Sequence, residues 1–217
     1  MTSNFSRARE PVNSYTHFAG AALSVLGTFL LVFGGLKAPV FSVRILMGGL
    51  VFGLSLVALY SASSLYHYVN APAVILGRLR KLDHAMIYVL IAGTYTPLFL
   101  CFSQGSTGLW LAALMWGVAL AGIVLKVLWM EAPRWLSTLL YVAMGWAIVF
   151  DPATLRSMPG GCAGLIAAGG AAYTIGAVIY GVKKPNLFKR FGFHELFHLF
   201  VLLGSLLHFL AVYLYVV

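Results

Sequence analysis

The chain has 217 residues, of which 61% are hydrophobic and only 9% are charged. This balance excludes an ordinary soluble domain, because too few polar side chains remain to cover a globule, and it predicts an integral membrane protein. The net charge of +9 does not indicate a nucleic-acid partner, since the basic residues fall in short stretches between apolar segments, where they act as orientation signals.

Seven apolar segments predict an all-α membrane protein that folds as a bundle of seven transmembrane helices. A helix needs about 20 apolar residues to span a bilayer. The segments lie at residues 13–36, 45–68, 83–102, 108–128, 135–150, 161–182 and 194–217, and the fifth is the shortest. Because the connections are brief, we expect antiparallel neighbours, a single domain over residues 1–217 and a short cytoplasmic tail at residues 1–12.

The Lys and Arg residues predict the orientation of these spans. A cytoplasmic amino terminus leaves only three basic residues, Lys37, Arg44 and Arg156, on the outside. The other eleven fall inside: Arg7, Arg9, Arg78, Arg80, Lys81, Lys126, Arg134, Lys183, Lys184, Lys189 and Arg190. Because cytoplasmic loops are enriched in Lys and Arg, the amino terminus is predicted inside and the carboxyl terminus outside.

Histidines mark the candidate site. All six histidines lie within or at the rim of predicted spans. His194 and His198 are four residues apart at the start of the seventh span, so they share one helix face. His67 ends the second span and Asp83 begins the third, which places both at the cytoplasmic face beside the pair. Ionisable groups in a membrane are costly, and they are functional by default.

The combination of these residues predicts a zinc site. Three neutral imidazoles, from His67, His194 and His198, leave one open position for water, as catalytic zinc sites do, and zinc lowers the pKa of that water towards about 7. Imidazole ligands favour zinc over iron or manganese. Asp83 is the candidate carboxylate that takes the proton or orients the water. Ser63 lies four residues before His67, on the same helix face, and is predicted to hydrogen-bond within the site.

Several neighbouring side chains have structural interpretations as well. Asp83 could instead pair with Arg80 or Lys81 at the membrane rim. For His84, adjacent to Asp83 in sequence but on another helix face, an interfacial role is favoured. Glu195 lies between the paired histidines in sequence, and it is expected to be a solvated carboxylate or one at the start of a helix.

Three further polar residues lie on the first and last spans. Asn13 and His17 enter the first span on the cytoplasmic side, and the structural alternative for Asn13 is a helix cap. His208 lies fourteen residues beyond His194, about 21 Å along a helix, so it cannot bind the same ion. We expect His208 to make a hydrogen bond inside the bundle or to line a cavity.

The motifs, in their order and spacing, resemble those of the hemolysin III family, the bacterial branch of the progestin and adiponectin receptor family, within a superfamily that includes alkaline ceramidases. They are Glu10-Pro11-Val12-Asn13 with Thr16-His17, Ser63-Ser64-Leu65-Tyr66-His67, Leu82-Asp83-His84, Ala92-Gly93-Thr94-Tyr95-Thr96-Pro97, Met144-Gly145-Trp146, His194-Glu195-Leu196-Phe197-His198, Gly204-Ser205 and His208-Phe209. The resemblance implies a seven-helix bundle with zinc near the cytoplasmic face. It implies that His67, His194 and His198 are the ligands and that Asp83 and Ser63 contact or position the zinc-bound water.

The favoured functional hypothesis is a zinc-dependent hydrolase of a lipid amide or ester in the bacterial plasma (inner) membrane. Its partner would be a membrane lipid, as substrate or ligand, entering between helices from the bilayer. Two alternatives are a sensor of membrane state with a structural zinc and a cytolytic, hemolysin-type membrane protein. Transport is weaker, because no inverted repeat is evident and few charges lie along a path through the membrane.

Overall fold

A computed structural model describes residues 8–38, 41–188 and 191–217 of the chain. Arg7, Lys189 and Arg190, which contribute to the predicted orientation, lie outside the described residues, as do residues 1–7 of the predicted tail. Within the described ranges the regular secondary structure is helical, apart from one isolated antiparallel bridge between Phe188 and Phe191. The predicted all-α class is confirmed.

Eight α-helices and one 3-10 helix form the described fold. In chain order they are α1 (Pro11–Lys37), α2 (Val43–Tyr68), α3 (Ala73–Phe102), α4 (Thr107–Leu128), α5 (Arg134–Gly145), the 3-10 helix (Ala147–Phe150), α6 (Pro152–Ser157), α7 (Gly160–Val182) and α8 (Phe193–Tyr215). Among the described residues, α1, α2, α3, α4, α7 and α8 are long and apolar enough to cross a membrane, so this is a multi-pass membrane protein. The seven-span count and the orientation of the termini stay predictions.

The fifth predicted segment is not one continuous α-helix. α5 has 12 residues and ends at Gly145, and the chain continues as the four-residue 3-10 helix. At rises of about 1.5 and 2.0 Å per residue, the two pieces together are about 26 Å long, slightly less than the hydrocarbon core of a bilayer. The segment is therefore nearly long enough to span, but with a break near its end.

Tyr95 of α3 compensates for this break. Its buried hydroxyl donates to the carbonyl of Gly145 at 2.8 Å and accepts from the amide of Ile148 at 2.9 Å. In an unbroken helix both backbone groups would be hydrogen-bonded within the helix. The bilayer core offers no water to replace those hydrogen bonds. One phenol therefore replaces the missing helical hydrogen bonds, and it ties α3 to the end of α5.

The starts of α3 and α8 add polar residues that the apolar segments alone do not include. α3 begins at Ala73, ten residues before the predicted span, and its first turns carry Arg78, Arg80 and Lys81. α8 begins at Phe193, where the side chain of Glu195 accepts from the amide of Gly192 at 2.8 Å. The interpretation of Glu195 as a helix-start carboxylate is confirmed.

The packing order of the helices brings the candidate residues together. α1 packs against both α2 and α8, α2 packs against α3, and α7 packs against α8. Many large apolar side chains point outwards, among them Phe29, Trp110 and Phe150, and we assign this surface to lipid contact. At one end of the bundle α2 ends while α1, α3 and α8 begin, and we call this the histidine end.

Candidate metal centre

Three histidines from two helices meet at the histidine end. His67 lies in the last turn of α2, and His194 and His198 lie in the first two turns of α8. Their ring centroids are 5.1 Å apart for His67 and His194, 4.9 Å for His67 and His198, and 4.8 Å for the α8 pair. One nitrogen from each ring lies within 4.8 Å of the others, so the group could hold a metal ion.

The unpaired nitrogens of this group fit a divalent cation. His67 and His198 are almost fully buried, yet Nε2 of His67 and Nδ1 of His198 have no hydrogen-bond partner among the described residues. Such buried acceptors are costly unless something binds them. Zinc–nitrogen distances are about 2.0–2.1 Å, so ligand nitrogens can be at most about 4.2 Å apart. Small ring rotations would close the remaining gap. The role of the three histidines as metal ligands stays a prediction.

Glu10 supports His67, and the sequence analysis did not identify this contact. Nδ1 of His67 donates to Oε2 of Glu10 at 2.7 Å, across 57 residues of sequence. This bond fixes the tautomer and leaves the lone pair of Nε2 free, the arrangement found behind metal-bound histidines. The hydrogen bond from His67 lowers the pKa of Glu10 to about 2, and this effect outweighs burial, which raises the pKa. Glu10 is therefore an anion beside His67.

Asn13 joins two carboxylates at the mouth of the site. Its amide donates to Oε2 of Glu10 at 3.2 Å and to Oε1 of Glu195 at 3.0 Å. The suggestion that Asn13 caps α1 is wrong, because the helix begins two residues earlier, at Pro11, with Glu10 in the capping position. The side chain of Asn13 instead links the start of α1 to the start of α8.

Asp83 and Ser63 lie on adjacent helices close to the histidines. The Asp83 carboxyl is near enough to the Ser63 side chain and to His67 to interact electrostatically with both. Of the two alternative partners, the Lys81 ammonium donates to the carbonyl of Val127 at 2.9 Å instead, whereas Arg80 is near enough to Asp83 for an electrostatic interaction but not for an ion pair. Asp83 remains available to the site, and its role with water stays a prediction.

His84 and His17 line the same region without belonging to the three-histidine group. Nδ1 of His84 lies 3.7 Å from Oδ2 of Asp83, so the two side chains are closer than their predicted positions on different helix faces suggested. His17 is buried and stacks on His198, with ring centroids 3.8 Å apart and planes inclined by 12°. The His17 ring also contacts the Tyr60 ring, with centroids 5.0 Å apart and planes inclined by 84°. His17 therefore restrains the orientation of the His198 ring.

His208 makes the hydrogen bond inside the bundle that the sequence indicated. Its Nε2 donates to the carbonyl of Ile166 on α7 at 3.0 Å. The close approach requires Gly169, because a Cβ there would overlap the His208 ring. Beside His208, the hydroxyls of Tyr60 and Tyr173 are hydrogen-bonded to Ser205 at 2.6 and 2.7 Å. These polar groups tie α2, α7 and α8 together below the site.

A cavity of about 430 Å³ extends from the histidines into the bundle. Asp83, His194 and His198 line one end of it. Along α3 its wall continues as Ile87, Leu90, Ile91, Thr94 and Leu98, spaced by one helical turn, so from Asp83 to Leu98 it extends about 22 Å. The hydrocarbon core is about 30 Å thick. The cavity is thus long and mostly apolar, with its titratable groups concentrated at the histidine end.

Comparison with known proteins agrees with the motifs. A profile of the family described as haemolysin-III related matches residues 5–209. Hemolysin-3 of Bacillus cereus is 36% identical over 209 residues, which cover 95% of this chain and 91% of that protein. The hemolysin-3 homolog of Bacillus subtilis (strain 168) is 34% identical over 216 residues, covering 98% and 97%. A human monocyte to macrophage differentiation factor is 26% identical over 174 residues, covering 76% and 68%.

Proposed function

The chain belongs to the haemolysin-III related family, and from that premise we propose that it is a zinc-dependent hydrolase of a lipid amide or ester in the bacterial inner membrane. The observation that carries this proposal is the meeting of three histidines and Asp83 at the polar end of a long apolar cavity. We also propose that the bundle has seven spans, with the amino terminus in the cytoplasm and the carboxyl terminus outside.

His67, His194 and His198 would hold the zinc ion. When bound, zinc supplies Lewis acidity that polarises a carbonyl and makes water acidic near neutral pH. Glu10 contributes by holding His67 in one tautomer and one orientation through the hydrogen bond at 2.7 Å. His17, stacked on His198, restricts the rotation of that ring in the same way.

Asp83 is the proton-transfer group in this proposal. Its carboxylate accepts a proton from the attacking water and returns it to the nitrogen or oxygen of the leaving group. Ser63, which lines the same cavity, would hydrogen-bond this carboxylate and hold it in place. The acyl chain of the substrate lies in the cavity, which positions the scissile bond beside Asp83.

The test is hydrolysis by purified protein in lipid nanodiscs containing phospholipids and ceramide, with zinc content measured in parallel. Asp83→Asn is expected to keep zinc and to lose hydrolysis, whereas His198→Ala loses both. Asp151→Asn is the matched control, because Asp151 caps α6 through a bond to Thr154, far from the histidines in sequence. Equal hydrolysis by wild type and Asp83→Asn would contradict the proposal.

Two alternatives give different results in the same preparation. A membrane-state sensor with structural zinc requires Asp83→Asn to keep both metal and function. The name of the Bacillus cereus relative raises cytolysis for this chain. That function requires the purified protein to release solute from liposomes at a low protein-to-lipid ratio, and the hydrolase proposal expects no such release.

A further inference from the structure

Three cations from three helices line the histidine end of the cavity. Arg80 comes from α3, Lys126 from α4 and Arg134 from α5, and all three line the cavity that also contains Asp83 and His194. By sequence they serve as orientation signals, and Arg80 is also a candidate partner of Asp83. In the structure they contribute positive charge to the cavity wall. The enrichment of Lys and Arg in cytoplasmic loops does not require them to face a cavity.

Lys126 departs most from an ordinary interfacial lysine. Such a residue extends its ammonium towards water or lipid phosphates, whereas Lys126 is only 6% exposed. Its Nζ donates to Oγ of Ser137 at 3.0 Å and to the carbonyl of Met130 at 3.5 Å, and both partners are neutral. Glu131 acts on Lys126 electrostatically, but among the described residues no carboxylate lies within ion-pair distance of the Lys126 ammonium. A buried ammonium without such a partner is costly in a membrane protein, and a bound anion would lower that cost.

The two arginines also lack strong ion pairs. Nη1 of Arg80 is 4.0 Å from Glu131, whose side chain is 86% exposed, so this pair contributes little. The guanidinium of Arg134 lies over the Tyr180 ring at 5.7 Å. Among the described residues, no carboxylate lies within ion-pair distance of Arg134. Both guanidiniums can therefore accept an anionic ligand.

The carboxylates at the mouth are occupied by other partners. Glu10 accepts from His67 at 2.7 Å and lies 3.2 Å from Arg9. Asp83 lies 3.7 Å from His84 and interacts electrostatically with His67 and, beyond ion-pair distance, with Arg80. These acids offset the charge of the histidine group when a divalent cation is bound there. The charges of Arg80, Lys126 and Arg134 then remain in excess.

We infer that Arg80, Lys126 and Arg134 bind the phosphate-bearing head group of a net-anionic lipid whose chain lies in the cavity. Arginine matches phosphate oxygens in pairs, lysine supplies a point charge, and basic pockets between membrane helices bind such head groups. A zwitterionic head group would place its own cation against the three, and would bind more weakly. The inference rests on the proposed function for the lipid nature of the ligand, but it does not require hydrolysis.

Native mass spectrometry of the full chain in nonionic detergent tests this inference. The probes are phosphatidylglycerol and phosphatidylcholine with identical acyl chains, and inorganic phosphate alone. The first molecule of phosphatidylglycerol that binds to wild type is expected to bind at least tenfold more tightly than the first molecule of phosphatidylcholine. Lys126→Met is expected to remove that preference, because it loses a charge-assisted hydrogen bond worth about tenfold or more in affinity, and Lys126→Arg should keep most of it.

Lys81→Gln is the matched control, since Lys81 is a cation at the same rim whose ammonium donates to the Val127 carbonyl. Its affinity for phosphatidylglycerol should equal that of wild type. Lys126→Met should keep its zinc and its thermal stability, because it removes a buried cation held by two neutral partners. If wild type prefers phosphatidylglycerol over phosphatidylcholine but hydrolyses no lipid, the hydrolase proposal is refuted and this inference still holds.

The inference would be overturned by equal affinity of wild type for the two lipids, by an equal loss of preference in Lys81→Gln and Lys126→Met, or by a Lys126→Met variant that prefers phosphatidylglycerol as wild type does. Inorganic phosphate that binds as tightly as phosphatidylglycerol would assign the three cations to a soluble anion and refute the lipid ligand.

Discussion

The Nδ1 atom of His67 lies 2.7 Å from Oε2 of Glu10, the residue immediately before the first helix. This contact connects the start of α1 to the end of α2. Two backbone bonds reinforce it, from the amide of Glu10 to the carbonyl of His67 at 3.0 Å and from the amide of Arg9 to the carbonyl of Tyr68 at 3.1 Å. The segment before α1 is thereby held against the candidate metal centre.

Replacing Glu10 is expected to weaken metal binding without removing a ligand. Glu10→Ala loses the partner of Nδ1, and loss of such a group typically costs about 10–100-fold in metal affinity. Glu10→Gln keeps an acceptor without the charge and should lose less. Zinc competition with a chromophoric chelator measures both. Glu131→Gln is the control, because its side chain is 86% exposed. Unchanged affinity in Glu10→Ala would show that Glu10 does not support the site.

Tyr95→Phe is expected to destabilise the fold more than removal of one hydroxyl from the surface. It leaves the carbonyl of Gly145 and the amide of Ile148 unpaired, at about 1–3 kcal/mol for each group. Thermal unfolding in detergent measures the loss. Tyr68→Phe provides the comparison, since Tyr68 is 44% exposed. Equal midpoints for the two variants would mean that the end of α5 finds other partners.

Gly169→Ala should lower stability through the α7–α8 contact. A Cβ at this position overlaps the His208 ring and approaches the carbonyl of Gly204 to 3.1 Å, and overpacking of this kind costs about 1–3 kcal/mol. Gly164→Ala is a control on the same helix, because its Cβ would meet no atom within 4 Å. That change is expected to be neutral or to stabilise by up to about 1 kcal/mol. A Gly169→Ala variant as stable as Gly164→Ala would contradict this packing.

The orientation can be tested with single cysteines in a background from which Cys101 and Cys162 have been removed. Arg156→Cys lies in a predicted outside loop, and it should react with a membrane-impermeant maleimide in intact cells. Glu131→Cys lies between α4 and α5, on the predicted inside, and should react only after permeabilisation. The opposite pattern would invert the bundle and place the histidine end outside.

The sequence predicts well what depends on local spacing and burial. The pair His194 and His198 is fixed by helix periodicity, and the position of His67 follows from alternation of the spans. For His208 a hydrogen bond inside the bundle or a place in a cavity wall was expected, because it lies too far along the helix to bind the same ion, and the structure has both. Each of these inferences needs only the helix geometry and the order of the apolar segments.

Contacts between distant segments explain what the sequence did not reveal. Glu10 and His67 are 57 residues apart, and nothing near either residue indicates that they meet. The end of α5 at Gly145 depends on a hydroxyl from α3, so the apolarity of residues 135–150 could not show it. The inward position of Lys126 depends on Ser137 of α5, whereas the orientation rule treats every lysine as a charge at the surface.

Metal analysis of the purified protein tests the central claim most directly, namely that His67, His194 and His198 form one metal site. Wild type purified without chelators should carry about one zinc per chain, and alanine at any of the three positions should abolish it. His208→Ala should keep the metal, because its ring is held by Ile166 elsewhere in the bundle. Full zinc content in all three ligand variants, or a wild type that binds none when zinc is added, would contradict the account.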